Sequence, residues 1–430
     1  MGNLCLFIFL LLLVVALIVY HRRKKNFDAG AVLISLYAVY ALLAIFLFND
    51  YSTVDNEDFQ NFKVKLFPLV YLFVGLIIAF YPILSFKSKS YARIQAPAFK
   101  LDAFAWFVIV CYVLQAGYIV ENLSRGLFMV LFMDDGTLEL YSEMIENQSE
   151  GGMGIANVFS IFANMLYPFT ILMFYYYLSL PKRKKIILAG LGLAILIGIL
   201  DYVAKGQRGG MVKRILIFIG TFFLFKDYIA DHIKKKIKFW GTLAFSGLVA
   251  IFMIMSLSRF GEREGGVLSS FNRYGGEAVI NFDKYAMDDN GIRYGDRVVP
   301  LFKKILQFDN VPNNFYERRL KYPNLYVNDE VFVTFIGDFC IDFGPIFTFF
   351  ILIFFSIWIR RLTLSNQREY PFHKLILLHF TLCICIQGGS LFPYADTGNL
   401  VIIMTILLYL FFSFCYSSKS VAIVKTGNNG

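Results

Sequence analysis

The stretch NLCLFIFLLLLVVALIVYHRRKK, residues 3–25, joins an uninterrupted apolar run to a basic cluster. A bilayer core of roughly 30 Å needs about 20 mostly apolar residues per helix, so this run is long enough to span it. No basic residue precedes the run and no small-residue cleavage pattern follows it, which argues against a secretory signal. We interpret the run as a retained membrane helix with its N-terminus outside.

The same pattern recurs along the chain. Apolar residues make up 58% of the 430 residues and charged residues only 17%, which is too apolar for a soluble protein. Runs of spanning length lie near residues 3–20, 29–48, 66–86, 103–121, 155–180, 186–203, 211–230, 239–258, 339–359, 374–393 and 398–416. We therefore predict an all-α polytopic integral membrane protein with about eleven transmembrane helices.

The loops between these runs are alternately basic and acidic. The loops on one side, together with the C-terminal tail, carry 23 of the 41 basic residues and five acidic residues. The positive-inside rule makes this side cytoplasmic, so the C-terminus is expected inside. The net charge of +10 then reflects membrane topology and not a nucleic-acid partner.

One outward loop, residues 259–330 and here called the outer loop, is far longer than the others. Glycine, asparagine and proline clusters divide it, which predicts short helices joined by turns. Seven of its eleven basic residues are arginines, and a guanidinium binds phosphate oxygens bidentately where a lysine does not. The predicted organisation is a membrane domain (1–258), a large extracytoplasmic loop (259–338), a second membrane domain (339–418) and a cytoplasmic tail (419–430).

A first candidate anion site is the stretch DYVAKGQRGGMVKR, residues 201–214. It places Lys205, Arg208, Lys213 and Arg214 on the outer side, where basic residues are normally disfavoured. Its three glycines allow backbone N–H groups to turn toward an anion, and the N-terminus of the next helix follows. This combination favours a diphosphate-binding loop. The alternative is an ordinary turn whose lysines extend to lipid headgroups.

A second candidate site begins with SLSRFGEREGG, residues 256–266. If the helix continues past the bilayer, Arg259 and Arg263 lie one turn apart on one face, although the neighbouring glutamates could neutralise them. A few residues later, RYGGE (273–277) sets Arg273 beside Tyr274 and Glu277. An aromatic face suits the apolar side of a sugar ring, and the carboxylate is a candidate general base.

A third candidate site is GDFCIDFG, residues 337–344. Asp338 and Asp342 are four residues apart and share a helix face. An unpaired carboxylate at membrane depth is costly, so both are expected to pair with arginines of the outer loop. Two roles stay open at this point: the acids order the site, or Asp338 is the base in place of Glu277.

Other kinds of site find little support. The six cysteines lie in or at the edges of the predicted spans, without paired spacing in a loop, so neither a zinc site nor a disulfide framework is predicted. We predict no cofactor and no metal.

Three features together resemble the Wzy-type O-antigen and capsule repeat-unit polymerases of bacteria. They are GQRGG (206–210), the long outward loop and FIGDFCIDFG (335–344), and the resemblance covers the whole chain in layout but some thirty residues in motif. It implies a glycosyltransferase of the bacterial inner membrane. Such an enzyme moves a growing glycan from one undecaprenyl-diphosphate carrier onto the terminal sugar hydroxyl of another lipid-linked repeat unit. Flippase and chain-length regulator proteins would be further partners.

This reaction already has a good leaving group, so the protein needs cations to stabilise the departing diphosphate and a carboxylate to assist the hydroxyl. No metal is required if arginines supply the charge. The predicted diphosphate contacts are Arg208, Arg259 and Arg263, with Arg273 and Arg293 as second choices. Glu277 or Asp338 is the predicted base. Lys205, Tyr274 and Asp342 are predicted to support the site.

Three other functions fit the sequence less well. An O-antigen ligase would carry a histidine in the large outward loop, which has none. A metal-dependent GT-C glycosyltransferase would use an acidic pair in an early outward loop. Asp55, Glu57 and Asp58 could supply that pair, but acidic residues in such a loop more commonly form a solvated surface. A flippase or transporter for the same lipid typically shows repeated halves and ionisable residues deep within its spans, whereas these charges cluster at the outer surface.

Overall fold

The structure is a computed structural model that describes residues 2–52, 57–95, 97, 101–132, 155–205, 207–260, 266–287, 291–325 and 331–427. Most of the described chain is helical, so the all-α prediction is confirmed for these residues. The helices are α1 (Gly2–Lys24), α2 (Ala29–Phe48), α3 (Glu57–Gln60), α4 (Leu66–Leu84), α5 (Leu101–Phe132), α6 (Ile155–Ser179), α7 (Lys185–Ala204), α8 (Arg208–Phe225), α9 (Asp231–Phe260), α10 (Gly266–Tyr285), α11 (Pro300–Ile305), α12 (Phe315–Lys321), α13 (Thr334–Phe343), α14 (Pro345–Thr363), α15 (Phe372–Gln387) and α16 (Asn399–Gly427). Two short strands, β1 (Arg93–Ile94) and β2 (Glu369–Tyr370), pair in parallel.

Within the residues that the structure describes, seven helical segments are long and apolar enough to cross a membrane. They are Gly2–Lys24, Ala29–Phe48, Leu66–Ser90, Val158–Ser179, Lys185–Ala204, Pro345–Thr363 and Asp396–Tyr416. They leave many large apolar side chains exposed, such as Phe354 and Phe414, a surface that lipid tolerates and water does not. These segments support a multi-pass membrane protein. The count of eleven spans and the orientation stay predictions.

The expected ninth span, 339–359, is interrupted. Helix α13 ends at Phe343, Gly344 adopts a positive φ of 79°, and α14 begins at Pro345. Proline has no N–H to donate and disfavours a helical conformation in the residue before it, and glycine accepts the left-handed conformation that results. The candidate span therefore starts at Pro345, and the GDFCIDFG motif lies on a separate helix before it.

By its internal contacts the chain divides into two compact units. The first contains Met1–Phe86, Glu264–Thr363 and Thr381–Ile403, and the second contains Lys87–Arg263, Leu364–Phe380 and Met404–Gly430. The predicted large outer loop falls almost entirely in the first unit, whereas GQRGG falls in the second.

In the first unit, α10 of the outer loop packs closely on α2. A Cβ added at Gly276 would lie 2.6 Å from backbone atoms of Leu43 and Ala44, and one at Gly275 would overlap the Leu43 side chain. Only glycine allows the two backbones to approach this closely. The RYGGE motif is therefore one point at which the outer loop is fixed against the membrane-length helices of this unit.

In the second unit, loops that the charge pattern assigns to the cytoplasmic side contact one another. Arg93 forms an ion pair of 2.6 Å with Glu369, beside the β1–β2 pairing. The Tyr228 hydroxyl donates to the Ser88 carbonyl at 3.0 Å, and an Arg183 nitrogen lies 3.3 Å from the His232 ring. These loops lie at one end of the helices in this unit.

Candidate functional site

The candidate residues lie in both units. Arg273, Tyr274, Glu277, Arg293, Asp338 and Asp342 belong to the first unit, and Lys205 and Arg208 belong to the second. Arg263 and the side chain of Arg259, both predicted diphosphate contacts, lie outside the described residues. Each group is therefore described within its own unit.

A buried cluster of four charges joins the outer loop to α13. Arg293 Nε lies 2.7 Å from Asp342 Oδ1, and Arg297 Nε lies 3.2 Å from Asp338 Oδ1. An Arg293 Nη2 atom is 3.8 Å from Asp338 as well. All four side chains are at most 8% exposed. The predicted pairing of the two aspartates with arginines of the outer loop is what the structure shows.

Backbone donors satisfy the remaining carboxylate oxygens of this cluster. Asp342 Oδ2 accepts from the backbone N–H groups of Arg297 at 3.2 Å and Val298 at 2.8 Å. Asp338 Oδ2 accepts from the backbone N–H of Phe392 at 2.6 Å. Each aspartate therefore pairs with an arginine through Oδ1 and accepts from the backbone through Oδ2, and pairing is what makes a buried charge tolerable. The arrangement supports the ordering role for Asp338 and Asp342, and it directs the Arg293 side chain into the protein interior.

The conformation at the start of α13 sets the direction in which its aspartates point. Thr334, at its start, adopts a φ of 68°, which is costly for a β-branched residue. Its backbone N–H donates to the Ser390 carbonyl at 2.9 Å, and its hydroxyl oxygen accepts from the Gly337 N–H at 3.2 Å. The first turn is therefore held on both sides, which fixes the direction in which Asp338 points.

A second buried cluster, centred on Asp296, was missed by the sequence prediction. Its carboxylate accepts hydrogen bonds from Lys303, from Lys321 at 2.7 Å and from the Tyr322 hydroxyl at 2.7 Å. Burial alone would raise the pKa of Asp296, but these three bonds hold the pKa below its usual value. Asp296 therefore stays ionised and gathers three separate segments of the outer loop.

The outer loop is also tied to the start of α16. Arg318, 4% exposed, donates to both carboxylate oxygens of Asp396, at 2.8 Å and 3.4 Å. Asn399 donates to the Val298 carbonyl at 2.8 Å and accepts from the Leu301 N–H at 3.2 Å. The only signal in the sequence was an acid directly before a predicted span, opposite an arginine-rich loop.

The predicted Arg–Tyr–carboxylate group is present on α10. Arg273 Nε lies 3.4 Å from Glu277 Oε2, and the Arg273 side chain is 42% exposed whereas that of Glu277 is 14% exposed. The Tyr274 ring, also partly exposed, lies 6.1 Å from the Phe332 ring. Burial raises the pKa of Glu277 to about 7, and Arg273 opposes that rise. A carboxyl group with this pKa exchanges protons readily at neutral pH.

In the second unit the expected glycine loop is part of a helix. Helix α8 begins at Arg208, so Gly209 and Gly210 lie in its first turn, and a Cβ at Gly210 would overlap the ring of Tyr202. The prediction that the helix begins after all three glycines was wrong, because it begins at Arg208, and close packing against Tyr202 explains the glycine at position 210. The structure describes nothing of Gly206.

Two of the four cations of this stretch, Lys205 and Arg208, have the following partners within the protein. Arg208 is buried and donates to the Ser256 hydroxyl at 2.8 Å, and Lys205 forms an ion pair of 2.7 Å with Asp201. These contacts favour a structural role for both residues in this conformation. Their assignment to a diphosphate stays a prediction.

Arg214, which the sequence placed on the outer surface, is buried among α6, α7 and α8. Its guanidinium carbon lies 3.8 Å from the centre of the Tyr167 ring and 4.6 Å from that of Tyr202. It donates to the Gly198 carbonyl at 2.8 Å and to Asn164 Oδ1 at 2.7 Å. Stacking between two aromatic rings compensates a buried guanidinium for lost hydration.

Metal binding has no support among the residues that the structure describes, which contain no group of three or more histidine, cysteine, aspartate or glutamate side chains able to hold an ion. Asp55, of the alternative acidic pair, lies outside those residues, and Asp58 is 88% exposed. The chain matches no protein-family model, no curated protein and no solved structure.

Proposed function

We propose that the chain is a membrane glycosyltransferase of the bacterial plasma membrane that polymerises undecaprenyl-diphosphate-linked oligosaccharide repeat units into a surface polysaccharide. The observation that carries this proposal is the group on α10. It combines a partly exposed guanidinium, an adjacent aromatic ring and a buried carboxyl group with a pKa of about 7. The seven apolar segments supply the membrane setting that a lipid-linked substrate requires.

In the proposed reaction, the terminal sugar hydroxyl of one lipid-linked unit attacks the anomeric carbon of the glycan on another carrier. A new carbon–oxygen bond forms, and the bond from the anomeric carbon to the diphosphate oxygen breaks. Glu277 accepts the hydroxyl proton, and Arg273 stabilises the negative charge on the departing undecaprenyl diphosphate. Tyr274 offers a ring face for the sugar. Arginine supplies the charge in this scheme, so no step calls for a metal.

The other predicted contacts take different positions in this proposal. Arg293, Asp338 and Asp342 order the outer loop from within and do not touch the substrate. Arg259 and Arg263 stay predicted diphosphate contacts. Flippase and chain-length regulator proteins stay predicted partners of the same pathway.

The second candidate is a flippase or transporter for the same lipid-linked oligosaccharide. The observation that favours it is Arg214, a cation enclosed by tyrosines between two candidate spans, because buried ionisable residues are typical of substrate pathways. Every contact given above for Arg214 is made within the protein, however, which also fits a structural role. The α10 group has no equivalent explanation in transport.

The test is the length distribution of surface polysaccharide in cells that lack the gene and carry wild type, Glu277→Gln or Arg273→Ala at matched protein levels. Asp58→Asn and Arg361→Ala are the matched controls, since both remove an exposed charge of the same kind elsewhere in the chain. A polymerase gives single repeat units with the first pair and a full ladder with the controls. Loss of all surface glycan, with lipid-linked units retained inside, would favour the flippase, and an unchanged ladder would contradict the α10 assignment.

A further inference from the structure

Residues 300–322, here called the hairpin, contain α11 and α12, and one charged side chain of each helix forms an inward ion pair. Lys303 of α11 pairs with the buried Asp296, and Arg318 of α12 pairs with Asp396. A helix exposed to water normally keeps its large apolar side chains inside and its charged side chains in solvent. The hairpin departs from that pattern at Lys303 and Arg318, whose charges are turned inward.

The outward face of the hairpin carries large apolar side chains beside charged ones such as Lys304, Glu317 and Arg319. Successive residues of a helix are about 100° apart, so Ile305 lies about 200° from Lys303, and Tyr316 and Leu320 lie about 200° on either side of Arg318. Five apolar side chains are more than half exposed here: Ile305, Leu306, Phe308, Tyr316 and Leu320. Within so short a segment this is more than scattered surface hydrophobicity, and it marks a contact with an apolar environment.

The hairpin is anchored where a candidate span ends. Asp396, which binds Arg318, is the first residue of the segment Asp396–Tyr416, and Asn399, which accepts from the Leu301 N–H, lies one turn further. The hairpin therefore lies at the level at which this span leaves the bilayer. Lys304 and Arg319 are exposed beside the apolar residues and match the phosphates of lipid headgroups in charge.

We propose that the hairpin lies in the membrane interface, with its apolar side chains among the outer-leaflet lipids and its basic residues at their phosphates. An interfacial segment of this kind sits about 5–10 Å into the boundary between headgroups and acyl chains. This inference rests on the membrane setting of the proposed function but not on glycosyl transfer. It explains how the arginine-rich loop is held at the height of a lipid-borne diphosphate.

The test uses the full-length protein in vesicles of phosphatidylethanolamine and phosphatidylglycerol. Ile305→Cys and Leu320→Cys carry an environment-sensitive fluorophore, in a background from which the partly exposed Cys5 and Cys415 are removed. Asp309→Cys, at an exposed polar position of the same hairpin, is the control. The substituted side chains are all exposed, so the folded core is unaffected. Quenching is measured with nitroxide lipids and with aqueous iodide.

We expect nitroxides near the headgroups to quench the labels at 305 and 320 more strongly than nitroxides at the chain ends, and iodide to quench them weakly. The control label should show the reverse preference for iodide. Strong iodide quenching at 305 and 320 would overturn the proposal, and so would protection from both quenchers, since the face would then be covered by protein. A chain that does not insert into vesicles would instead contradict the proposed function.

Discussion

Substitution of Arg293 by Met tests whether the buried charge cluster orders the outer loop. The guanidinium of Arg293 is 2% exposed and lies 2.7 Å from Asp342, which is not exposed at all. Removal of one partner of a buried ion pair leaves an uncompensated charge and costs about 3–5 kcal/mol. Solvent screens this ion pair very little, because both side chains are almost fully buried. Asp338 retains its contact with Arg297 at 3.2 Å, so the loss falls mainly on Asp342.

The assay is native-state proteolysis of the outer loop in detergent or vesicles, with a protease that cleaves after aromatic residues. Where opening is fast, the cleavage rate follows the population of the open loop. Since about 1.4 kcal/mol changes a population tenfold, the rate should rise by about a hundredfold or more in Arg293→Met. Arg319→Met, an exposed arginine of the same loop, should cleave like wild type.

The double variant Arg293→Met with Asp342→Asn separates a lost charge balance from a general packing defect. It leaves no unpaired charge in the core and keeps an acceptor oxygen for the Val298 N–H. We expect it to resist the protease better than Arg293→Met alone. If Arg293→Met is cleaved no faster than Arg319→Met, the cluster does not hold the loop and the reasoning fails.

Three further predictions concern α10 and the second unit. Burial raises the pKa of Glu277 from 4.5 to about 7, so the folded protein binds the carboxyl proton more tightly than the unfolded chain does. The protonated Glu277 therefore stabilises the fold fully at low pH, and this stabilisation is lost as pH rises through about 7. Thermal melting should show that loss in wild type and not in Glu277→Gln, and transfer activity of wild type should rise over the same pH range. Gly276→Ala places a Cβ against the backbone of α2 and should destabilise by about 1–3 kcal/mol in denaturant unfolding, whereas Gly209→Ala, with open space at that position, should not. Arg214→Met removes two hydrogen bonds and two ring contacts and should lower the melting temperature of the whole chain, whereas equal melting would show that the cation is dispensable.

Features set by local pattern were predictable from the sequence. Long apolar runs predicted the membrane-length helices because hydropathy and length are both readable in one segment. The four-residue spacing predicted the shared face of Asp338 and Asp342, and the RYGGE motif placed Arg273 beside Glu277, for the same reason. The break at Gly344–Pro345 is also a local feature. It was not predicted, because apolar residues continue on both sides of it.

Features that depend on distant contacts were not predictable. The sequence shows seven arginines in the outer loop but does not show which acid each one pairs with. Arg293 and Arg297 pair with the α13 aspartates, whereas Arg318 pairs with Asp396. These partners are set by how the loop folds back on the helix ends. Arg214 illustrates the same limit, because its tyrosine partners come from two different helices.

The most direct test of the proposed function is reconstitution of the purified chain in vesicles with undecaprenyl-diphosphate-linked repeat units as the sole substrate. The account predicts glycans of two or more repeat units and the release of one undecaprenyl diphosphate for each linkage formed, both abolished by Glu277→Gln and retained in Asp58→Asn. Movement of the intact lipid-linked unit across the bilayer without any linkage formed would contradict it.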